Sequence, residues 1–122
     1  KVEGKSIHAP IEDGDCSACH VAHESDNKAL VKKTGAALCY DCHDKFKGKV
    51  VHAPIEDGDC KSCHGVHSAK QPSLLAKALP DLCYDCHDKK DVAESEKHKD
   101  MGSKSCSECH NPHATDKAGL TK

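Results

Sequence analysis

The chain has no tryptophan and no arginine, a single phenylalanine (Phe46), a single methionine (Met101) and two tyrosines (Tyr40, Tyr84) among 122 residues. A fully buried large apolar side chain contributes roughly 1.5–3 kcal/mol, while ordering each residue's backbone costs roughly 1–2 kcal/mol. With so few large side chains the polypeptide cannot close a core of its own, and something else must fill the interior. No apolar run approaches the ~20 residues of a membrane span, and no secretory leader is present, so no membrane span is expected. The first residue is Lys1 rather than methionine, which reads as a processed chain. The 18 basic residues, all lysine, and 20 acidic ones leave a net charge of −2. The two signs are mixed along the chain, so neither nucleic acid nor an anionic membrane is expected as a partner.

Two residue types are abundant instead: ten cysteines and eleven histidines. They follow a period of 44 residues. Residues 8–50 align with 52–94, so that HAPIEDGDC at 8–16 recurs letter for letter at 52–60 and LCYDCHDK at 38–45 recurs at 82–89. A partial third copy, 98–113, again sets a histidine eight positions before a cysteine. The whole chain, 1–122, reads as a single domain made of these repeats. Ala9-Pro10 suits an extended start and Asp13-Gly14 a turn. Short helices are predicted at 28–33, 73–78, 37–45 and 81–90, the last with Pro80 in its first turn, and the remainder as coil.

Every cysteine belongs to one pattern, Cys-x-x-Cys-His: Cys16/Cys19/His20, Cys39/Cys42/His43, Cys60/Cys63/His64, Cys83/Cys86/His87 and Cys106/Cys109/His110. This is the attachment signature of c-type haem. Two thiols three apart on a turn reach the two vinyl groups of one porphyrin edge, and the next imidazole lies over the iron. Zinc sites also use Cys-x-x-Cys pairs, but they need four tetrahedral ligands and no histidine after each pair. A disulfide scaffold would leave the five histidines unexplained. The motifs therefore imply five covalently attached haems, whose faces would be lined by residues such as Ile11, Ile55, Leu38, Leu82, Leu74 and Leu75.

Six histidines remain for the sixth iron position: His8, His23, His52, His67, His98 and His113. All stand at repeated places, either eight before a motif or three after a proximal histidine. Met101 takes the place of Ile11 and Ile55, which suggests packing, so bis-histidine iron is expected throughout. Seven residues can span up to about 25 Å, enough to carry His8, His52 and His98 round the haems of Cys16/Cys19, Cys60/Cys63 and Cys106/Cys109. His23 and His67 lie too near their own proximal histidines to grip the same iron. They are expected on the Cys39/Cys42 and Cys83/Cys86 haems, which leaves His113 without one.

On the repeated H-x7-CxxCH-xxH and LCxxCH elements, from His8 to His113, the chain resembles the multihaem c-type cytochromes with doubled Cys-x-x-Cys-His motifs. The resemblance implies mostly irregular coil with short α-helices around a covalently bound haem core. It also implies an extracellular or periplasmic electron-transfer protein, with haems in a line and redox proteins or extracellular electron acceptors as partners. Some relatives polymerise into filaments, so a head-to-tail homopolymer is one expectation, with His113 or His8 crossing to a neighbouring subunit. A soluble periplasmic shuttle is the alternative, and a multihaem reductase with an open haem is a further one. With spare histidines outnumbering motifs, no enzyme activity and no catalytic residue are expected.

Overall fold

The structure is a computed structural model that describes residues 2–122; Lys1, where the sequence reading placed a processed start, lies outside the described residues. Regular structure comes in pieces of two to six residues. In chain order these are β1 (Ser6–Ile7), α1 (Ala9–Glu12), α2 (Ala36–Cys39), β2 (Val50–Val51), α3 (Ala53–Glu56), β3 (Ser68–Ala69), α4 (Asp81–Tyr84), α5 (Lys89–Glu94), α6 (Cys106–Cys109) and β4 (Ala114–Thr115). Four 3₁₀ turns lie between them, Cys16–Ala18, Lys28–Leu30, Cys60–Ser62 and Pro72–Leu74, and a fifth, Ala118–Leu120, follows β4. The expectation of irregular backbone with short helices holds.

The identical HAPIEDGD stretches fold identically. His8 and His52 cap one-turn helices in extended conformation (φ −68° and −66°), and the proline two places on suits the first turn. Gly14 and Gly58, both at φ 74°, then reverse the chain so that the first cysteine of the motif follows at once. In the third copy HKDMGSKSC has no proline, its glycine comes two places earlier relative to the histidine, and no helix forms after His98.

Repeats are joined by two small antiparallel pairings. β1 pairs with β3 (Ser6 with Ala69, Ile7 with Ser68), and β2 pairs with β4 (Val50 with Thr115, Val51 with Ala114). Each ties the strand before one repeat's first histidine to the strand after the next repeat's His-x-x-His step. The backbones come close. A Cβ on Gly4 would lie 2.8 Å from the Ala69 carbonyl oxygen, and one on Gly48 would lie 2.7 Å from that of Thr115.

The helices expected at 28–33 and 73–78 are absent. Ala29 (φ 59°), Leu30 (56°), Ser73 (54°) and Leu74 (57°) are left-handed, as are Gly119 (66°) and Leu120 (56°) in the third copy. Helical propensity loses here to a tertiary demand, the turning of the Ala29, Ser73 and Gly119 carbonyls onto histidine rings. The helices expected at 37–45 and 81–90 shorten to α2 and to α4 followed by α5. Cys42 and Cys86 were expected inside those helices and stand instead on the turns that follow α2 and α4. Their amides donate to the carbonyls of Cys39 (3.2 Å) and Cys83 (3.3 Å), three residues back, because the chain tightens and changes direction before each motif's histidine.

The described residues contain one buried hydrophobic side chain, Ala114 at 7% exposure. Accessible surface is 9199 Å², where a folded chain of 13.1 kDa is expected to show roughly 6,400 Å². The polypeptide buries little of its own side-chain surface.

Candidate haem-binding site

Ten of the eleven histidines stand in opposed pairs. Ring centroids are 6.0 Å apart for His8 with His43, His52 with His87 and His98 with His110, and 6.1 Å apart for His20 with His67 and His64 with His113. Rings in direct contact sit much closer, as Phe46 does on His113 at 4.1 Å. Six ångströms leaves room for one atom: an ion bound by two imidazole nitrogens at about 2.0 Å each puts the ring centroids roughly 6.2 Å apart. Among the described residues no three His, Cys, Asp or Glu converge, as a tetrahedral zinc site requires, and all ten cysteines are free thiols. Pairs of imidazoles, each with one member directly after a Cys-x-x-Cys, fit the iron of a covalently bound haem.

The second ring nitrogen is also arranged. Nδ1 of His20, His64 and His110 bonds the carbonyl of Ala29 (2.7 Å), Ser73 (2.9 Å) and Gly119 (2.7 Å). These are the residues found in left-handed backbone, a conformation that costs a non-glycine residue of order 1–3 kcal/mol and clusters at functional sites. The turn aims the carbonyl, the carbonyl orients the ring, and Nε2 is left to bind metal. His8 and His52 are held in the same way by Val66 (3.0 Å) and Pro112 (2.9 Å), while their backbone amides donate to the carbonyls of His67 and His113.

The ligand pairing expected from spacing is largely corrected. His98 does stand over His110 of its own motif. His8 faces His43 rather than His20, and His52 faces His87 rather than His64. The Cys39/Cys42 motif is therefore partnered by His8, where His23 was expected, and the Cys83/Cys86 motif by His52, where His67 was expected. His67 faces His20, and His113 faces His64. His23 is the histidine left over: it is exposed and, among the described residues, opposes no ring, so His113 is not the orphan. The His-x-x-His step reaches back to the preceding repeat because the β1–β3 and β2–β4 pairings carry it there. The third copy also runs past 113, since Gly119 and Thr121 clamp His110 as Ala29 and Val31 clamp His20. TDKAGLTK at 115–122 against SDNKALVK at 25–32 carried that signal.

Cysteines place the motifs in order. Cys39 lies near Cys60 and Cys19, and Cys83 stands in the same relation to Cys106 and Cys63. These six thiols are half-buried, whereas Cys16, Cys42, Cys86 and Cys109 are exposed. In motifs 2 and 4 the first cysteine thus faces the neighbouring motifs, and the second, Cys42 or Cys86, stands on the outer turn. Burial, then the charge of those neighbours, raises the Cys39 thiol above its ordinary value and pushes Cys83 up to about 11. His113 is lowered by burial and by the charges of His64 and His52. Motif 2 adjoins motifs 1 and 3, and motif 4 adjoins motifs 3 and 5, so the motifs succeed one another in space as in sequence.

The family model described as the doubled CXXCH motif matches residues 8–48, 52–92 and 98–122. No curated protein and no solved structure matches.

Proposed function

Because the chain belongs to the doubled CXXCH motif family, as a multihaem c-type cytochrome, we propose that it binds five haems, each between two histidines, and passes electrons along them in the order of the motifs. The observation that supports this reading is the set of five opposed imidazole pairs at 6.0–6.1 Å, each built on one motif. Covalently bound haem supplies one-electron redox chemistry, at lower potential with two histidines than with His/Met. The protein's part is geometric: carbonyls fix the rings, strand pairings bring the second ring from another repeat, and cysteine contacts set neighbouring motifs side by side. A position filled on both faces offers no place for substrate, which supports a carrier rather than a reductase. Among the described residues no helix is long and apolar enough to cross a membrane, and thioether attachment of haem fits a periplasmic or extracellular place of work.

All five pairs close within one chain, which supports a carrier that is complete in itself and exchanges electrons with redox proteins or extracellular acceptors. His23 favours a second reading, as a subunit of a filament. Its equivalents His67 and His113 each reach a motif one repeat upstream, and within these residues no repeat precedes that of His23. A second copy could provide one, and such a head-to-tail contact need not close. The central reading is tested by intact mass with a pyridine haemochrome assay and a low-temperature spin-state spectrum. Five haems per chain, all low-spin, are expected; fewer haems, or a zinc-loaded native chain, would refute it.

A further inference from the structure

In four of the five opposed pairs the facing histidine comes from another segment, 35 to 49 residues away in the chain. The fifth is closed from within. His98 comes from just ahead of its own motif, and its backbone amide donates to Ser95 instead of to a strand of another repeat. Its Nδ1 is buried and has no hydrogen-bond partner, whereas the equivalent nitrogens of His8 and His52 bond carbonyls at 3.0 and 2.9 Å. Its ring is tilted by 40° to His110, against 14° in the pairs His8/His43 and His52/His87. Metal-bound histidines are normally fixed through their other ring nitrogen, and loss of that support weakens binding by about 10–100-fold.

Resting on the five-haem reading above, we propose that His98 is an exchangeable ligand and that the sixth position at motif 5 is a binding site for a small neutral diatomic ligand. Charge agrees: around the His98/His110 pair Glu96 and Asp100 stand against Lys97 and Lys104, a balance that favours no ionic ligand. The third copy also lacks what would pin His98: where Gly4 and Gly48 let strands approach, it has Glu94, and where β1 and β2 stand it has Glu96-Lys97.

The test uses the haem-loaded, fully reduced protein and carbon monoxide as the probe. One CO per chain is expected, bound at a rate that stops rising with CO concentration because His98 must leave first. The variant His98→Ala should also bind one CO, without that ceiling and at least about 10-fold faster. The control His52→Ala should open a second position and bind two. CO uptake by none or by more than one haem in the wild type, or a rate unchanged by His98→Ala, overturns the proposal. Haem content and spin state of the same oxidised sample separate the two readings. Five low-spin haems with no CO uptake overturn the exchange alone, while fewer haems overturn the five-haem reading itself.

Discussion

His52 and His98 hold the same place in their repeats, eight residues before a cysteine, and are positioned by different means. His52 follows a strand paired to another repeat, caps a one-turn helix, and bonds Pro112 through Nδ1. His98 follows α5 and a turn, begins no helix, and leaves Nδ1 unpaired. A histidine held from both sides stands in the middle of the row of motifs; one held by its own loop stands at the end. The contrast shows that the role of a repeat position here depends less on the residue than on the neighbour that grips it.

The comparison breaks most visibly if haem anchors are removed at the two places. Cys60 lies near Cys39, and Cys63 near Cys83, so motif 3 neighbours both flanks. The pair Cys60→Ala with Cys63→Ala is expected to cost more than about 4 kcal/mol, beyond the usual range of substitutions, and to leave little folded holoprotein. Cys106→Ala with Cys109→Ala should leave four haems and a folded row. Thermal unfolding followed in the haem absorption band, with intact mass, decides it; equal losses at both sites would mean that the middle of the row is no more shared than its end.

A smaller effect separates the joint from the turn. Gly48→Ala forces a Cβ to within 2.7 Å of the Thr115 carbonyl oxygen. Backbone on both sides resists, so a cost of about 1–3 kcal/mol is expected. Glu94→Ala, at the matching place before His98, should stay within about 0.5 kcal/mol. Urea unfolding of the two holoproteins measures both, and a harmless Gly48→Ala would show that the β2–β4 pairing does not hold the repeats together.

The left-handed turns give a third contrast. Ala29 and Ser73 carry the strain that Gly119 avoids. Gly119→Ala should cost about 1 kcal/mol, and Ala29→Gly or Ser73→Gly should gain up to about that much, less the extra freedom of glycine in the unfolded chain. The ring orientation should survive in each, read as an unchanged spin state. If Ala29→Gly destabilised instead, the left-handed backbone would not be the source of strain.

Repeats and the five Cys-x-x-Cys-His motifs were legible in the sequence because each is a local pattern: His20 follows Cys19 whatever the fold does. The distal pairing was not, because chain reach permits several partners for His8 or His67 and the choice is made by two-residue strands too short to leave a periodic signal. Nor could helical propensity at Lys28–Leu30 reveal that Ala29 must turn its carbonyl onto His20. Phe46 was read only as a scarce aromatic, and its place on His113 depends on the same cross-repeat joint.

The smallest expected effect sharpens the comparison at the other end of the row. His23 is exposed and opposes no ring among the described residues, so His23→Ala should change stability by less than about 0.5 kcal/mol. In dilute protein all five haems should stay low-spin. Any high-spin haem in that variant would show that His23 is a ligand within the chain and that one of the five pairs is misassigned. At high concentration the readings part. If His23 serves a second copy and His98 is the ligand that yields, wild type should associate head to tail and His23→Ala should not. Sedimentation velocity over a wide concentration range, with electron microscopy, distinguishes them. Wild type that stays monomeric leaves a self-contained carrier, and association that survives His23→Ala would place the contact on some other surface.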